Sequence, residues 1–207
     1  MKDIFSFLCE NQKLNIIIYN KHMQKQLDIN IKDYIRISGK YKEGERNGKG
    51  KEYNIRTNRL IFEGEYLNGK RNGKGKEYDS NGKLKFEGEY FNGKRNGKGK
   101  QYFYNGNLYF EGEYLNGERN GKGKEYYRNG KLKFEGEYLN GERNGKAKEY
   151  NLLNGELEFE GEYLNGKKWN GKGKEYYSNG ELKFEGEYLN GVKNGKEYSD
   201  GFGYLSG

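Results

Sequence analysis

FEGEYLNGKRNGKGKEYDSNGKLK, residues 62–85, is the stretch that decides the fold, because most of the downstream chain repeats it. A degenerate copy, ISGKYKEGERNGKGKEYN, begins at Ile37. The units follow one another at steps of 24 or 25 residues. A period of this length is typical of an array of small repeated units rather than of a globular domain. The further copies begin at Phe86, Phe110, Phe134, Phe159 and Phe184.

Two local patterns within the unit predict hairpins of β-strands. From Leu84 to Tyr90, apolar residues and glycine alternate with Lys and Glu, which is the two-residue period of a strand whose faces differ. Asn81-Gly82 precedes this run, and Asn-Gly readily adopts positive φ at both central positions of a tight turn. Each unit is therefore predicted to contribute two antiparallel strands.

A wide turn over residues 67–72 would bring glutamates opposite lysines on one face and aromatic rings over glycines on the other. The same register would place Phe86 opposite Glu77. Strict alternation sends Tyr78 to the charged face, whereas a bulge at Glu77-Tyr78 would return it to the aromatic face. The sequence leaves this choice open for Tyr78, as for Tyr53. The predicted pairs are Glu65 with Lys74, Glu63 with Lys76, Tyr66 with Gly73, and Gly64 with Gly75.

The predicted fold class is an all-β repeat array: an elongated, single-layer antiparallel sheet of about fourteen strands, two for each of seven units. One face of this sheet would be aromatic and the other would carry rows of Lys and Glu. Such a sheet has no second layer to cover its aromatic face. We therefore predict one structural domain over residues 37–207, with repeats that start near 37, 62, 86, 110, 134, 159 and 184.

Residues 1–36 differ in kind from the repeats. Leu14, Ile17, Ile18, Met23 and Leu27 recur at helical spacing, which predicts a helix over roughly residues 12–27. A short N-terminal helical cap would cover the open first edge of the sheet. The alternative is that this helix docks a partner protein.

The repeat resembles the MORN repeat, whose unit reads roughly Y-x-G-x-W-x-x-G-x-x-x-G-x-G before an aromatic strand and a Gly turn. FEGEYLNGKRNGKG, residues 62–75, matches that frame with Phe as the first aromatic and Tyr as the second. The segment NGKLKFEGEYLNGE, residues 129–142, is also similar to the variant MORN repeat of bacterial proteins. The resemblance covers residues 37 to about 200. It implies a sheet of hairpins with a role in interaction, scaffolding or membrane association, and it implies no particular reaction.

Composition argues against catalysis. The chain of 207 residues has one Cys and one His, and we find no pairing of carboxylates in contrasting environments, so we expect no enzyme activity, no metal and no cofactor. With a single Cys, no disulfide framework is expected, which is typical of a reducing compartment. We expect a cytoplasmic protein, with attachment to a membrane or to the cytoskeleton as open alternatives.

The aromatic face is the first candidate binding surface. Its rings could simply pack against one another and against glycine, or they could form an exposed apolar groove for a protein partner. The groove interpretation makes the protein a non-enzymatic scaffold that binds a partner or associates with itself through its ends. A regulatory subunit of a separate enzyme is a further alternative. The residues concerned are Phe62, Tyr66, Phe86, Tyr90, Phe110, Tyr114, Phe134, Tyr138, Phe159, Tyr163, Phe184 and Tyr188.

The basic turns are the second candidate. The first 109 residues carry a formal charge of +10 and the remaining 98 carry −2, which together give the net charge of +8. The alternative function is therefore a peripheral membrane module that binds acidic phospholipids through its first repeats. Nucleic acid is not expected to bind, because glutamates accompany the lysines and repel phosphates. The candidate anion-binding residues are Arg46, Lys70, Arg71, Lys94, Arg95 and Arg119.

Overall fold

The computed structural model describes residues 40–44 and 46–199. Throughout this part of the chain the regular structure is β-strand, as predicted. Fourteen strands form one antiparallel sheet in sequence order, which confirms the predicted hairpin array. The predicted N-terminal helical cap lies outside the described residues.

The described part of the chain divides into two compact units, of which the first ends at Lys94 and the second begins at Arg95. The first unit contains β1 (Lys40–Gly44), β2 (Gly48–Asn54), β3 (Leu60–Leu67), β4 (Lys70–Tyr78) and β5 (Leu84–Phe91). The second unit contains β6 (Lys94–Tyr102, whose first residue closes the first unit), β7 (Leu108–Leu115), β8 (Glu118–Tyr126), β9 (Leu132–Leu139), β10 (Glu142–Tyr150), β11 (Leu157–Leu164), β12 (Lys167–Tyr176), β13 (Leu182–Leu189) and β14 (Val192–Glu197).

Two kinds of turn alternate along the sheet. The tight two-residue turn lies at Asn68-Gly69, where both residues have positive φ, of 51° and 75°, as a type I′ turn requires. The turn at Asn81-Gly82 is different, because only Gly82 has positive φ there and the Gly82 N–H donates to the Asp79 carbonyl. It is a three-residue loop, so the prediction of a two-residue turn at this Asn-Gly was wrong.

The predicted pairing of β3 with β4 is confirmed at Glu63 and Gly64 and is wrong closer to the tight turn. Glu63 pairs with Lys76, and Gly64 with Gly75, as predicted. A bulge between Gly64 and Tyr66 then shifts the register, so that Tyr66 pairs with Arg71 rather than with Gly73. Because the chain turns at Asn68-Gly69 rather than over residues 67–72, Tyr66 pairs with a β4 residue two positions earlier than predicted.

The loop at residues 80–82 follows the prediction more closely. Glu77 pairs with Phe86, and a bulge falls between Glu77 and Tyr78. The bulge does not bring Tyr78 to the aromatic face, because the Tyr78 hydroxyl donates to the carboxylate of Glu63 at 2.6 Å. The same contact recurs from Tyr126 and Tyr150 to Glu111 and Glu135. These tyrosines therefore lie on the Lys and Glu face.

The first hairpin, β1 with β2, departs from the others. Lys42 pairs with Glu52, and Gly44 with Gly50. In the next repeat the residue that pairs with the equivalent glutamate, Glu77, is Phe62. A lysine therefore occupies the position of the aromatic ring in this hairpin.

Backbone hydrogen bonds connect the tight turns of successive repeats. In the first unit the Gly93 N–H donates to the Arg71 carbonyl at 2.8 Å, and in the second the Gly117 N–H donates to that of Arg95 at 2.8 Å. An asparagine side chain adds a second link, since Asn72 accepts from the Asn92 N–H at 3.4 Å. The conserved spacing of Arg, Asn and Gly within the repeat thus serves the stacking of one turn on the next.

The core is a single row of rings packed on glycine. The six phenylalanines that open the repeats are 0–1% exposed. In the first unit Phe62 contacts Tyr66 and Tyr90 edge to face, with centroids 5.7 and 5.1 Å apart. A side chain at Gly75 would collide with the Phe62 ring, because the Cζ of that ring lies where the added Cβ would have to be. Glycine is therefore required where the ring meets the neighbouring strand.

Candidate functional site

The ring face, defined as the face that carries the twelve predicted Phe and Tyr residues, is not an exposed groove. Its tyrosines are 4–6% exposed and its phenylalanines 0–1%. A single sheet was expected to leave this face uncovered. The expectation fails because charged side chains from the same strands fold over the rings. The structure thus supports the interpretation in which the rings pack against one another.

Arg71 shows how the covering works in the first unit. It extends over Phe62, with its guanidinium carbon 4.0 Å from the ring centroid. On either side it meets a carboxylate, Glu52 at 2.8 Å and Glu77 at 3.5 Å. The cation thus gains a ring beneath it and two opposite charges beside it.

The second unit repeats this arrangement. Arg143 lies 4.0 Å above Phe134 and bonds to Glu125 at 2.6 Å and to Glu149 at 2.9 Å. Lys168 takes the same place in the next repeat, 5.3 Å above Phe159 and 3.0 Å from Glu149. We call this series of cations over rings, with carboxylates between them, the cation–carboxylate ladder. Its members in the second unit are Arg95, Arg119, Arg143, Lys168 and Lys193, with Glu125, Glu149 and Glu175.

Tyrosine hydroxyls donate hydrogen bonds to the carboxylates of the ladder. Tyr66 donates to Glu52 at 2.8 Å and Tyr90 to Glu77 at 2.7 Å in the first unit. In the second unit Tyr163 donates to Glu149 at 3.0 Å. Each of these carboxylates thus accepts from the repeat that follows it, which joins successive repeats through buried polar contacts.

The pKa values of the ladder carboxyls follow from their partners. Burial alone would raise the pKa of Glu125, but the charges of Arg143 and Arg119 hold it below its usual 4.5. Burial would likewise raise the pKa of Glu149, but the nearby charges of Lys168 and Arg143 outweigh this effect and lower the pKa. The ladder glutamates are therefore ionised when the protein is folded at neutral pH.

One position of the ladder is neutral. Gln101 stands where the adjacent repeats have Glu77 and Glu125. Arg119 donates from Nη2 to the Gln101 side-chain oxygen at 3.0 Å and from Nη1 to Glu125 at 2.8 Å. Arg119 consequently meets one carboxylate, whereas Arg143 meets two.

The predicted anion-binding residues separate into two groups. Arg71, Arg95 and Arg119 belong to the ladder, where glutamates already neutralise Arg71 and Arg119. Arg95 is half-buried and lies 6.0 Å from the centroid of the Tyr114 ring. The exposed residues are Arg46, Lys70 and Lys94.

A row of exposed apolar residues at the tight turns was missed in the sequence analysis. Leu67 pairs with Lys70 across the turn and is 51% exposed. We call these residues the turn row, with Leu67 and Phe91 in the first unit. The signal was present in the repeated Leu-Asn-Gly, which places a large apolar residue beside each turn. In the second unit the row consists of Leu115, Leu139, Leu164 and Leu189, which are 40–61% exposed.

The opposite face carries exposed pairs such as Lys148 with Glu160, 3.1 Å apart. Ion pairs of this kind contribute little to stability because water screens them. Within residues 40–44 and 46–199, no group of His, Cys, Asp and Glu could hold a metal ion. In the same part of the chain, no helix is long and apolar enough to cross a membrane.

Comparison with protein families identifies the repeat. The MORN repeat profile matches residues 38–54, 62–83, 86–108, 110–131 and 134–150, and the profile of the MORN repeat variant matches residues 169–190. The chain belongs to the MORN-repeat family. MORN repeats generally serve in protein or membrane interactions, and the family is not an enzyme family.

No curated protein matches this MORN-repeat chain. Among solved structures, a crystal structure of TarM aligns at a TM-score of 0.32 and 16% identity, over 75% of this chain and 27% of that one. A mutant of S. aureus TarM in complex with fondaparinux, alpha-GlcNAc-glycerol and UDP aligns at 0.32 and 16%, over 71% and 26%. The chain spans about a quarter of the length of these structures.

We predict that Arg143→Met lowers the free energy of unfolding by about 3 kcal/mol, because it leaves Glu125 and Glu149 without a shared cation in a buried site. Urea denaturation followed by circular dichroism would measure the change. The matched control is Lys148→Met on the opposite face, which should cost less than about 1 kcal/mol. Equal losses for the two variants would contradict the importance of the ladder.

Acid should destabilise the protein through the same carboxyls. Glu125 and Glu149 have lower pKa values when folded than the 4.5 expected when unfolded, so their contribution is complete above about pH 4.5 and is lost as the pH falls through the folded values. The melting temperature should therefore decrease as the pH is lowered below about 4.5. Arg143→Met should show a shallower acid loss than wild type, and an unchanged slope would count against this assignment.

Proposed function

We propose that the protein is a non-catalytic scaffold that binds a protein partner along the turn row of its second unit. The observation that carries the proposal is the repeated exposure of a large apolar side chain at the same turn in every repeat of that unit, Leu115 to Leu189. Exposed apolar side chains in a continuous series gain free energy when a partner covers them.

The ring face is less suited to this role than the sequence indicated. The rings of Phe110 and Phe134 are fully buried, so a partner could not remove further apolar area from water there. A partner on that face would contact the ladder cations and carboxylates. The turn row, by contrast, offers apolar area that the fold itself leaves exposed.

The spacing of the row favours a helix as the occupant. Neighbouring members are two strands apart, which is about 9.6 Å at the usual strand separation. Seven residues of an α-helix rise about 10.5 Å. An amphipathic helix with an apolar residue at every seventh position would therefore meet one leucine of the row per heptad.

Charge around the row limits the choice of helix. Glu118 and Glu142 pair with Leu115 and Leu139 across their turns, whereas Leu164 pairs with Lys167. The two carboxylates would attract basic residues beside the apolar stripe of the helix and would repel an anionic membrane. The occupant that we propose for the second unit is thus an amphipathic helix of a protein partner, with basic residues where it passes Leu115 and Leu139.

The triple variant Leu115→Ser/Leu139→Ser/Leu164→Ser tests the proposal without disturbing the buried rings. Partners are captured from native cells on wild type and identified by mass spectrometry, and the segment that binds is mapped with synthetic peptides. We expect the triple variant to lose at least about tenfold in affinity for the mapped peptide, the loss of about 1.4 kcal/mol or more that three exposed leucines can supply.

The matched control carries three exposed substitutions in the same repeats, Lys122→Ser/Lys146→Ser/Lys172→Ser, and should bind at least as tightly as wild type, because the loss of three lysines removes repulsion from a basic helix. The mapped segment should be helical when bound, with apolar residues seven apart. Undiminished binding by the leucine variant, or a bound segment without that periodicity, would refute the proposal.

A second candidate function concerns the first unit, where the turns combine apolar and basic residues. Leu67 pairs with the exposed Lys70, and Phe91 is followed across its turn by the exposed Lys94. Apolar side chains that enter a bilayer beside lysines that face its headgroups are typical of peripheral attachment to acidic membranes. Here the basic residues are not neutralised as those of the ladder are.

Co-sedimentation with phosphatidylserine vesicles tests this candidate. Lys70→Glu/Lys94→Glu should weaken binding about thirtyfold or more, because each basic residue near such a surface contributes about 1 kcal/mol. Lys51→Glu/Lys76→Glu changes the charge equally away from the turns and should bind better than the turn variant. Equal binding by both variants, or no sedimentation of wild type at low salt, would exclude this function.

A further inference from the structure

Two of the loops at the other end of the strands from the tight turns contain one residue more than the rest, and they share a conformation. These long loops are residues 54–59, before β3, and residues 151–156, before β11. Each begins with an asparagine whose side-chain oxygen accepts from the backbone N–H groups two and three residues later, at 3.0 and 3.1 Å for Asn54 and at 2.7 and 3.2 Å for Asn151. The backbone N–H of each asparagine donates to the carbonyl five residues later, at 2.8 Å. The two loops therefore have equivalent residues at equivalent places.

The long loop of the second unit holds two leucines out in solvent. Leu152 is 43% exposed and Leu153 is 58% exposed. Their carbonyls accept from Nζ of Lys131, at 3.4 and 3.0 Å. Asn151 is buried and donates from Nδ2 to Glu158 at 2.6 Å. The loop is thus fixed by hydrogen bonds in a conformation that leaves its apolar side chains uncovered, so covering them would remove apolar surface from water without reorganising the loop.

The two long loops carry opposite charges. Glu156 stands in the second unit where Arg59 stands in the first, and Arg56 adds a further positive charge beside Arg59. All three side chains are exposed, and in the part of the chain that the structure describes no ion pair joins any of them to an opposite charge. Asn154 donates to Glu156 at 3.0 Å, and Arg59 donates to the Ser80 carbonyl. A carboxylate and a guanidinium each form about four or five hydrogen bonds, so both groups keep the capacity for a further partner.

We propose that separate copies of this chain associate head to tail through these loops, with residues 151–156 of one copy on residues 54–59 of a second copy. Glu156 binds the guanidinium groups of Arg56 and Arg59 of the second copy through charge-assisted hydrogen bonds. The apolar stems of the same arginines cover Leu152 and Leu153. The contact uses neither the turn row nor the ring face.

Charge favours a second copy as the occupant of the acidic loop. The first 109 residues carry +10 and the remaining 98 carry −2, so the two ends of separate copies attract each other. An anionic membrane, by contrast, would be repelled by Glu156 beside the leucines. Because the two contacting surfaces differ, each copy in a pair keeps one unused loop of each kind, and association continues beyond the dimer. A contact made of two loops is small, so the association is reversible and weakens with salt.

Sedimentation velocity of the full chain at low salt, up to about 0.5 mM, tests the proposal. The mean mass of wild type should rise with concentration beyond twice the 24.2 kDa of one chain and should fall when salt is added. Arg56→Glu/Arg59→Glu and Glu156→Arg should each raise the dissociation constant at least about tenfold, because each replaces attraction by repulsion. The three substitutions together in one chain should restore the association, since the charges are then exchanged between the loops.

Mixing two defective variants is the sharpest test. Leu152→Ser/Leu153→Ser keeps a working basic loop, and Arg56→Glu/Arg59→Glu keeps a working acidic loop. Each alone should sediment as a monomer, whereas an equimolar mixture should form a complex of twice the mass of one chain and nothing larger. Lys51→Glu/Lys76→Glu is the control, because it makes the same charge change on the Lys and Glu face; it should associate within about threefold of wild type.

A wild type that stays monomeric over the whole concentration range would overturn the proposal, and so would a mixture of the two variants that forms no complex. Association that both loop variants leave as strong as in wild type would do the same. Sedimentation of wild type with phosphatidylserine vesicles that Leu152→Ser/Leu153→Ser abolishes would assign the acidic loop to a membrane and would also overturn it. Circular dichroism melting of every variant verifies that these exposed substitutions leave the fold intact.

Discussion

A positive charge held over an aromatic ring between two carboxylates is the interaction on which the structure depends. A single-layer sheet has no second sheet or helix with which to bury its apolar face. Here Arg71 and Arg143 supply the missing layer from the same strands, by lying over Phe62 and Phe134. The glutamates beside these cations offset the desolvation free energy that half-burial of a charge requires.

This covering changes which surfaces can bind other molecules. Rings that are already buried, such as Phe110, cannot provide the apolar area that drives association. Leu115 and its equivalents lie at the tight turns, where the ladder side chains do not cover them and they remain 40–61% exposed. The aromatic residues that form the core and the leucines that supply the exposed apolar surface are thus different sets of residues.

Repetition gives small departures a clear meaning. Because each slot of the ladder has the same neighbours, a change at one of them is seen against several unchanged copies. Gln101 removes one charge and leaves the arginine and rings around it in place. The substitution of Lys42 for the ring in the first hairpin is another departure, and there the lysine stays close to Glu52, at 3.6 Å.

The sequence alone determined the hairpins, their number in the repeat region and the gathering of the Phe and Tyr rings on one face, because these follow from local alternation and from a period repeated seven times. It also predicted the pairing of Glu63 with Lys76 and of Phe86 with Glu77. Only the tertiary structure decided that Arg71 turns over Phe62, that Tyr78 stays on the charged face, and that Leu67 remains exposed. Those outcomes depend on contacts with neighbouring repeats and on the shift of register at the tight turn, which no property of a single strand specifies.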